Sequence, residues 1–341
     1  MFKEQLQRMI EGNTLSEAIA EKMMNVIMEG KADDAQIASF LTILKMRGET
    51  VEELTGFVRS LRSHVVQLDH GGLPLIDTCG TGGDGQSTFN ISTASAILVS
   101  SLGVKVAKHG NRAVSSKSGS ADVLDELGIP TQSSREEAIG TLKERNMCFL
   151  FAPNYHVAMK HAVRARKAIG FRTVFNSLGP LANPAGSQSQ LIGVYSHDNA
   201  LKMAEALKRL GTERALLVTG GEGMDECSIS THTDFVELKE GEVSTYRRTP
   251  EDVGLTSCDQ NDLKVETSRE SAELIQRIFD GNGNEASTGI VLYNAGAALY
   301  LAGASESIKD GVRMARESIA IGDARKQLNL LSAQKELNVH A

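Results

Sequence analysis

A glycine-rich segment, Gly80-Thr-Gly-Gly-Asp-Gly85, offers the backbone chemistry that binds phosphate. It follows a short apolar run at residues 73–76 and precedes a Ser/Thr-rich segment from Thr88 that is typical of a helix start. Glycines let the backbone approach an anion closely, and the first N–H groups of a helix point toward it. The order of strand, glycine loop and helix therefore predicts a phosphate site.

The same glycines also match the dinucleotide-binding spacing G-x-G-x-x-G. That fold needs an acidic residue at the end of the next strand, about 20 residues further on, to bind the ribose hydroxyls. Here the next predicted strand, residues 104–107, ends at Lys108 and His109. The pattern disfavours NAD but leaves a 2′-phosphorylated cofactor open. A Walker-type loop is excluded because no Gly-Lys-Ser/Thr follows the glycines.

A second motif, Lys108-His-Gly-Asn-Arg112, follows that next strand. In an open α/β sheet, ligands bind at the carboxyl ends of the strands. The motif and the following residues 113–120 supply cations, an amide and several hydroxyls, a set that suits a polyphosphate or a phosphosugar. The alternative is a solvated basic loop, and the neighbouring glycine loop favours the ligand site.

Two further groups of charged residues could contact a ligand. Asp225 and Glu226 follow the predicted strand at 215–219 and could hold Mg²⁺, which prefers a few carboxylates together with phosphate oxygens. A basic stretch contains Arg166 and Arg172, and one arginine here could pair with a substrate carboxylate. The alternatives are a solvated acidic loop and a solvated helix face.

The elements that position these residues follow two patterns. Residues 1–66 predict only helices, one of which begins at a capping box, Thr50 to Glu53. From residue 73, short apolar runs alternate with helical stretches, which indicates a mostly parallel sheet flanked by helices. The polar segment 241–262 is predicted to be a surface excursion. The predicted strands are residues 73–76, 104–107, 147–151, 191–195, 215–219 and 235–238.

Composition narrows the function classes further. The 341 residues carry a formal net charge of −7, so no global basic field attracts nucleic acid. The cysteines at 79, 148, 227 and 258 form no C-x-x-C pair, which favours reduced thiols in a cytoplasmic protein. The charged N-terminus is predicted to be helical and not a signal peptide, and no apolar run predicts a membrane span.

The motifs together resemble the anthranilate phosphoribosyltransferases, in order and over essentially the whole chain. The resemblance implies transfer of a phosphoribosyl group from phosphoribosyl pyrophosphate (PRPP) to the anthranilate amine, in tryptophan biosynthesis. It also implies a homodimer formed through a small helical domain, residues 1–66 joined by helices from about 160–185, beside an α/β domain at 73–341. The segments that carry it are GTGGDG at 80–85, NIST at 90–93, KHGNR at 108–112, RTVFNSLGPLANP at 172–184 and GMDE at 223–226.

The resemblance assigns a PRPP site and a metal site. Ser92, Asp225 and Glu226 are implied to hold two Mg²⁺ ions on the pyrophosphate. The implied PRPP-binding residues are Gly80, Gly83, Asp84, Thr88, Asn90, Ile91, Ser92, Thr93, Lys108, His109, Gly110, Asn111, Arg112, Ala113, Val114, Ser115, Ser116 and Ser120.

For anthranilate the implied contacts are Gly80, Asn111 and Arg166, with Arg166 facing the carboxylate. No strong general base is required, because the anthranilate amine is already a neutral nucleophile. No covalent nucleophile is assigned, because the sequence offers no convincing Ser-His-Asp or Cys-His set. The alternatives are a nucleoside phosphorylase of the same architecture and a non-catalytic nucleic-acid-binding relative. Three positions depart from the family's pattern: Thr219 replaces a usual His, and Arg164 and Val157 replace usual prolines.

Overall fold

The computed structural model describes residues 1–113 and 118–333. The N-terminal part is entirely helical. The capping box predicted at Thr50 and Glu53 is confirmed, since the Thr50 hydroxyl accepts from Glu53 N and the Glu53 carboxylate accepts from Thr50 N. The N-terminal helices are α1 (Phe2–Ile10), α2 (Glu17–Met28), α3 (Asp34–Arg47) and α4 (Val51–His64).

The remainder alternates strands and helices and then ends in helices. The strands are β1 (Ile76–Gly80), β2 (Val106–Gly110), β3 (Met147–Phe151), β4 (Ser189–Gly193), β5 (Arg214–Gly220), β6 (Thr233–Lys239) and β7 (Glu242–Arg248). The helices are α5 (Ile91–Ser101), α6 (Ser120–Glu126), α7 (Arg135–Arg145), α8 (Ala152–Tyr155), α9 (Lys160–Ile169), α10 (Phe175–Leu178), α11 (His197–Arg209), α12 (Ser268–Phe279), α13 (Glu285–Leu301), α14 (Ile308–Ala320) and α15 (Asp323–Ser332).

The strands of the described chain form one sheet in the order β3-β2-β1-β4-β5-β6-β7. The pairs from β3 through β5 are parallel, and β6 and β7 are antiparallel additions. From β1 the chain continues to one side with β2 and later to the other side with β4. The carboxyl ends of β1 and β4 therefore flank a topological switch point, where open α/β sheets bind ligands.

Two apolar layers cover the sheet. Along β5, Leu216 and Val218 pack into the core formed with α5, α12, α13 and α14. Ala215 and Leu217 face the opposite way, into a core shared with α11 and the N-terminal helices. This alternation is the two-residue period of a strand buried on both faces. The helices α9 and α10 join the second core through Ala165 and Phe175.

The predicted fold class is confirmed: an all-helical N-terminal domain accompanies a larger α/β domain with a mostly parallel sheet flanked by helices. In the described chain no helix combines the length and apolar character needed to cross a bilayer. The helix predicted at 324–337 is described as α15, and residues 334–337 lie outside the described residues.

Two predicted strands and one predicted loop segment were wrong in their bounds. The first two strands run to Gly80 and Gly110, so Asp77 and Lys108 lie inside strands and not after them. The segment predicted as a surface excursion begins with β7, an edge strand that pairs with β6. Its tight turn at Glu240 and Gly241, with φ of 53° and 77°, is the left-handed geometry of a two-residue hairpin.

Candidate active site

A cavity of about 630 Å³ lies where the carboxyl ends of β1 and β2 face the helical part of the chain. Gly80 of β1, Asn111 just after β2 and Arg166 of α9 belong to its lining. Leu61 of α4 and Phe175 of α10 add apolar surface to it. The three positions implied for anthranilate therefore share one cavity between the helical bundle and the sheet.

The glycine loop after β1 uses backbone that other residues rarely adopt. Gly82, Gly83 and Gly85 have φ of 65°, 70° and 78°. An L side chain is strained at these values, so the loop needs glycine. The Gly82 N–H donates to Oδ2 of Asp225 at 2.6 Å. The backbone of the loop thus binds a carboxyl group of the protein itself.

Two glycines on neighbouring strands make room for Asp225. Gly80 of β1 and Gly193 of β4 lie side by side in the sheet. A Cβ at Gly193 would lie 1.6 Å from the Asp225 carbonyl oxygen, and a Cβ at Gly80 would lie 2.6 Å from Asp225 Oδ2. The segment after β5 that carries Asp225 and Glu226, here called the metal loop, can therefore cross the ends of β1 and β4 only because both positions lack a side chain.

The acidic groups at this crossing repel one another. Burial and the neighbouring Asp84 carboxyl raise the pKa of Asp225, opposed by the Gly82 N–H and the Arg172 charge. Burial and Asp225 raise the pKa of Glu226, opposed by Lys108 and the backbone N–H of Ser92. Neighbouring buried carboxyls with raised pKa values are a donor set that a divalent cation stabilises.

The donor set fits Mg²⁺ held with a substrate better than a closed protein cage. In residues 1–113 and 118–333, no group of three or more His, Cys, Asp or Glu side chains converges as a cage. Mg²⁺ is usually bound by one or two carboxylates together with substrate phosphate and water. Asp225 and Glu226 match that requirement.

Lys108 connects the metal loop to the start of α5. Its side chain is buried, and Nζ donates to the Thr78 carbonyl at 2.6 Å and to Ser92 Oγ at 3.0 Å. Burial lowers the Lys108 pKa, and the charges of Asp77 and Glu226 oppose that shift. The lysine thereby orients the Ser92 hydroxyl beside Glu226, so two of the implied metal positions are linked through one cation.

The beginning of α5 is fixed by Asn90. Its Oδ1 accepts from Thr93 N at 3.2 Å and from the Thr93 hydroxyl, which caps the helix. Ser120 Oγ, at the start of α6, donates to the same Oδ1 at 3.4 Å. Ile91 occupies the first turn and is buried, whereas Thr88 forms an isolated bridge with Lys264. The start of α5 and the start of α6 thus meet at Asn90.

The end of β2 and the segment after it are only partly available to a ligand. The His109 N–H donates to Asp77 Oδ1 at 3.1 Å, and Gly110 approaches Phe149 closely. Arg112 is held by ion pairs with Asp122 at 2.8 Å and Asp125 at 2.7 Å. Ala113 N donates to Asp122 Oδ2. Val114, Ser115 and Ser116 lie outside the described residues.

Arg166 is the cation of the cavity wall. Its guanidinium lies 5.0 Å from the centre of the Phe175 ring, and burial lowers its pKa. Among the described residues, no carboxylate lies within ion-pair distance of Arg166. Its guanidinium therefore keeps donors that could form a bidentate pair with a carboxylate.

The cavity also contains a pair of histidines that the sequence analysis did not assign together. The rings of His109 and His156 lie 4.9 Å apart between centres. Burial, the neighbouring His156 and Lys108 lower the pKa of His109 to about 3, and burial lowers that of His156 to about 4. Both imidazoles are therefore neutral at pH 7 and add no positive charge to the cavity.

The three departures from the family's pattern lie in different surroundings. Thr219 is buried at the end of β5, and its hydroxyl donates to the Val194 carbonyl at 2.7 Å. Arg164 is 87% exposed and faces Asp34 at 3.5 Å. Of the three, Val157 alone lines the cavity.

Asn294 on α13 holds the metal loop through hydrogen bonds to its backbone. Its Oδ1 accepts from Cys227 N at 2.9 Å, and its Nδ2 donates to the carbonyls of Cys227 at 3.3 Å and Ile290 at 2.9 Å. The side chain is fully buried. Sequence reasoning missed this residue because its partner is 67 positions away along the chain. It fixes the peptide that follows Glu226.

Replacing Asn294 with leucine is expected to destabilise the protein by about 1–3 kcal/mol, because a buried N–H and C=O of Cys227 lose their partners. The measurement is the free energy of unfolding from urea denaturation. Asn329→Leu, at an exposed position of α15, is the control and should change stability by less than about 0.5 kcal/mol. Equal stability of the two variants would contradict the role of Asn294.

Comparisons with known proteins agree with this architecture. The family model for the α/β domain of a glycosyl transferase family matches residues 72–325, and the model for its helical bundle domain matches residues 3–65. A curated relative, anthranilate phosphoribosyltransferase of Halalkalibacterium halodurans, is 56% identical over the full length of both chains.

Solved structures of similar proteins cover nearly the whole chain. The anthranilate phosphoribosyltransferase of Thermus thermophilus is 39% identical with a TM-score of 0.91, covering 97% of this chain and 99% of that one. The Saccharomyces cerevisiae enzyme in complex with PRPP and Mg is 27% identical with a TM-score of 0.89, covering 98% of each chain.

Proposed function

Since the chain belongs to the anthranilate phosphoribosyltransferase family, we propose that the cavity beside the glycine loop is where it joins its two substrates. The reaction transfers the phosphoribosyl group of PRPP to the anthranilate amine, giving N-(5-phosphoribosyl)anthranilate and pyrophosphate in tryptophan biosynthesis. The observation that carries the assignment is the meeting of the glycine loop, the Asp225–Glu226 pair and the cavity arginine at one edge of the sheet.

Mg²⁺ is the metal of this site, and we assign two ions per monomer to the donors of Ser92, Asp225 and Glu226. The mutual repulsion of the buried carboxyls and the hydroxyl oriented by Lys108 support this choice. When bound, Mg²⁺ supplies positive charge to the pyrophosphate leaving group. Lys108 adds a further positive charge beside the metal donors, which favours the same developing negative charge.

The PRPP site is assigned to the glycine loop and the two helix starts that meet at Asn90. The backbone N–H groups of the glycine loop are suited to phosphate oxygens. Those of the first turn of α5 donate to Phe89, Glu226 and Asn90, so a phosphate there would have to replace one of these acceptors. The guanidinium of Arg112 is already paired with two carboxylates of α6. Its expected role in the PRPP site is therefore to hold the segment after β2 in place.

The anthranilate site is assigned to the cavity wall of Gly80, Asn111 and Arg166. Arg166 pairs with the carboxylate and thereby orients the ring, while the apolar wall formed by Leu61 and Phe175 contacts its faces. The amine is neutral at pH 7, so this chain's contribution is positioning and electrostatic stabilisation of the leaving group. No residue is assigned as a covalent nucleophile.

The assembly proposed for the chain is a cytoplasmic homodimer that forms through the helical domain, residues 1–66 with helices from 160–185. Apolar side chains exposed on that domain support the choice: Met46 is 84% exposed and Ile10 is 66% exposed. We assign residues 73–341 to the α/β domain that binds PRPP and Mg²⁺, with its helices from about 160–185 joining the helical domain.

The function is tested by the fluorescence of anthranilate, which is expected to fall when the purified protein, PRPP and Mg²⁺ are all present. Omission of PRPP or addition of EDTA should leave the fluorescence unchanged. Release of thymine from thymidine and phosphate in place of this loss would identify a nucleoside phosphorylase. A salt-dependent DNA complex without turnover would identify a non-catalytic nucleic-acid-binding protein.

A further inference from the structure

We propose that Arg172 is a positioning residue that holds the glycine loop in its ligand-binding shape, an inference that rests on the proposed function. The residue lies outside every set assigned to PRPP, anthranilate or metal. It follows α9, the helix that carries Arg166, and reaches across to the loop after β1. Its effect on the reaction passes through that loop.

The guanidinium binds the loop as a fork. Its two terminal nitrogens donate to the carbonyl oxygens of Gly82 and Gly83, one each. A planar guanidinium can donate two parallel hydrogen bonds in a fixed geometry, which a lysine ammonium cannot reproduce. The two successive peptide groups of the loop are therefore fixed by one side chain.

Tyr195 fixes the guanidinium in turn. The Arg172 guanidinium carbon lies 4.1 Å from the centre of the Tyr195 ring. Tyr195 follows β4 closely, and its hydroxyl accepts from Asn199 Nδ2 of α11 at 3.0 Å. Stacking of arginine on an aromatic face is a favourable contact. The loop is thus connected through Arg172 to the rigid end of the strand beside β1.

This arrangement determines where the loop's N–H groups point. With the carbonyls of Gly82 and Gly83 turned toward Arg172, the N–H groups of the same two planar peptides, those of Gly83 and Asp84, point away from it. A Cβ at Gly83 would lie 2.9 Å from the guanidinium carbon, so glycine is required for the contact as well as for the backbone angle. Loss of Arg172 would free the two peptides to rotate and would misplace the donors for the pyrophosphate and its metal.

The test compares Arg172→Lys and Tyr195→Leu with the wild-type protein in the fluorescence assay. We expect the KM for PRPP and the Mg²⁺ concentration for half-maximal rate to rise on the order of 10-fold in each variant, as loss of two peptide hydrogen bonds predicts. The KM for anthranilate should change less than about 2-fold, because Gly80, Asn111 and Arg166 make no contact with Arg172 and keep their places in the cavity wall. Tyr195→Phe keeps the stacked ring and is expected to restore near-normal values.

Arg164→Lys is the matched control, since Arg164 lies on the same basic segment but is 87% exposed. An unchanged KM for PRPP in both Arg172→Lys and Tyr195→Leu would overturn the proposal, as would an equal rise in both KM values. A lowered melting temperature with unaltered PRPP and Mg²⁺ dependence would show that Arg172 only stabilises the fold, and this result would also overturn the proposal. Failure of the wild-type protein to consume anthranilate would instead refute the proposed function.

Discussion

Replacement of both metal-loop carboxylates, Asp225→Asn with Glu226→Gln, is expected to lower the turnover number by about 10³-fold or more, since metal stabilisation of charge is worth several kcal/mol. The variant keeps the shape of both side chains, and the amide oxygen introduced at position 225 can still accept from the Gly82 N–H. What it removes is the negative charge that binds the cation. The measurement is the steady-state rate of anthranilate consumption over a range of Mg²⁺ concentrations.

The control for this variant is Asp234→Asn, which removes one carboxylate from the surface pair with Arg247 and leaves the metal loop intact. It should retain the wild-type Mg²⁺ dependence. The double variant should keep a cooperative unfolding transition, because burial already disfavours the charged forms of the Asp225 and Glu226 carboxyls in the protein without metal. Near-normal turnover of the double variant at the usual Mg²⁺ concentration would refute the metal assignment.

The strand ends beside the site show where sequence patterns fail. Asp77 and Lys108 are polar, so an apolar-run criterion ends both strands before them. In the structure each is buried inside a strand and has partners on other segments: Asp77 Oδ1 accepts from His109 N, and Lys108 Nζ donates to Thr78 and Ser92. Such partners come from other segments, and local periodicity contains no information about them.

The residues that could do chemistry at the site were easier to predict from the sequence than the residues that hold them in place. The glycine loop and the Asp225–Glu226 pair each indicate a function by residue type, and a capped helix start follows the loop in the sequence. The residue types of Gly193, Asn294 and Tyr195 do not indicate a function. Each of them acts on a segment that is distant in the sequence, by leaving room for it or by holding it in place. Gly193 is needed for the close passage of Asp225, which only the sheet order β1-β4 reveals. By residue type Arg172 is one of several basic residues in its segment, and its contact with the loop spans 90 positions.

Arg166→Ala is expected to raise the KM for anthranilate by about 10–100-fold while the KM for PRPP stays within about 2-fold, because hydrogen bonds between charged partners contribute about 1.5–3 kcal/mol. Arg166 lines the cavity without an acidic partner among the described residues, so its removal leaves no protein carboxylate unpaired there. The measurement is initial velocity with each substrate varied in turn at saturating concentrations of the other.

Two further variants separate charge from geometry at this position. Arg166→Lys retains the positive charge but not the planar fork, so an intermediate rise in the KM for anthranilate would show that both features matter. Arg164→Ala, two residues earlier on α9 and 87% exposed, removes a cation that faces Asp34 and should leave both KM values unchanged. An equal rise of both KM values in Arg166→Ala would mean that the arginine acts through its packing on Phe175. The carboxylate of anthranilate would then have to be bound by another group.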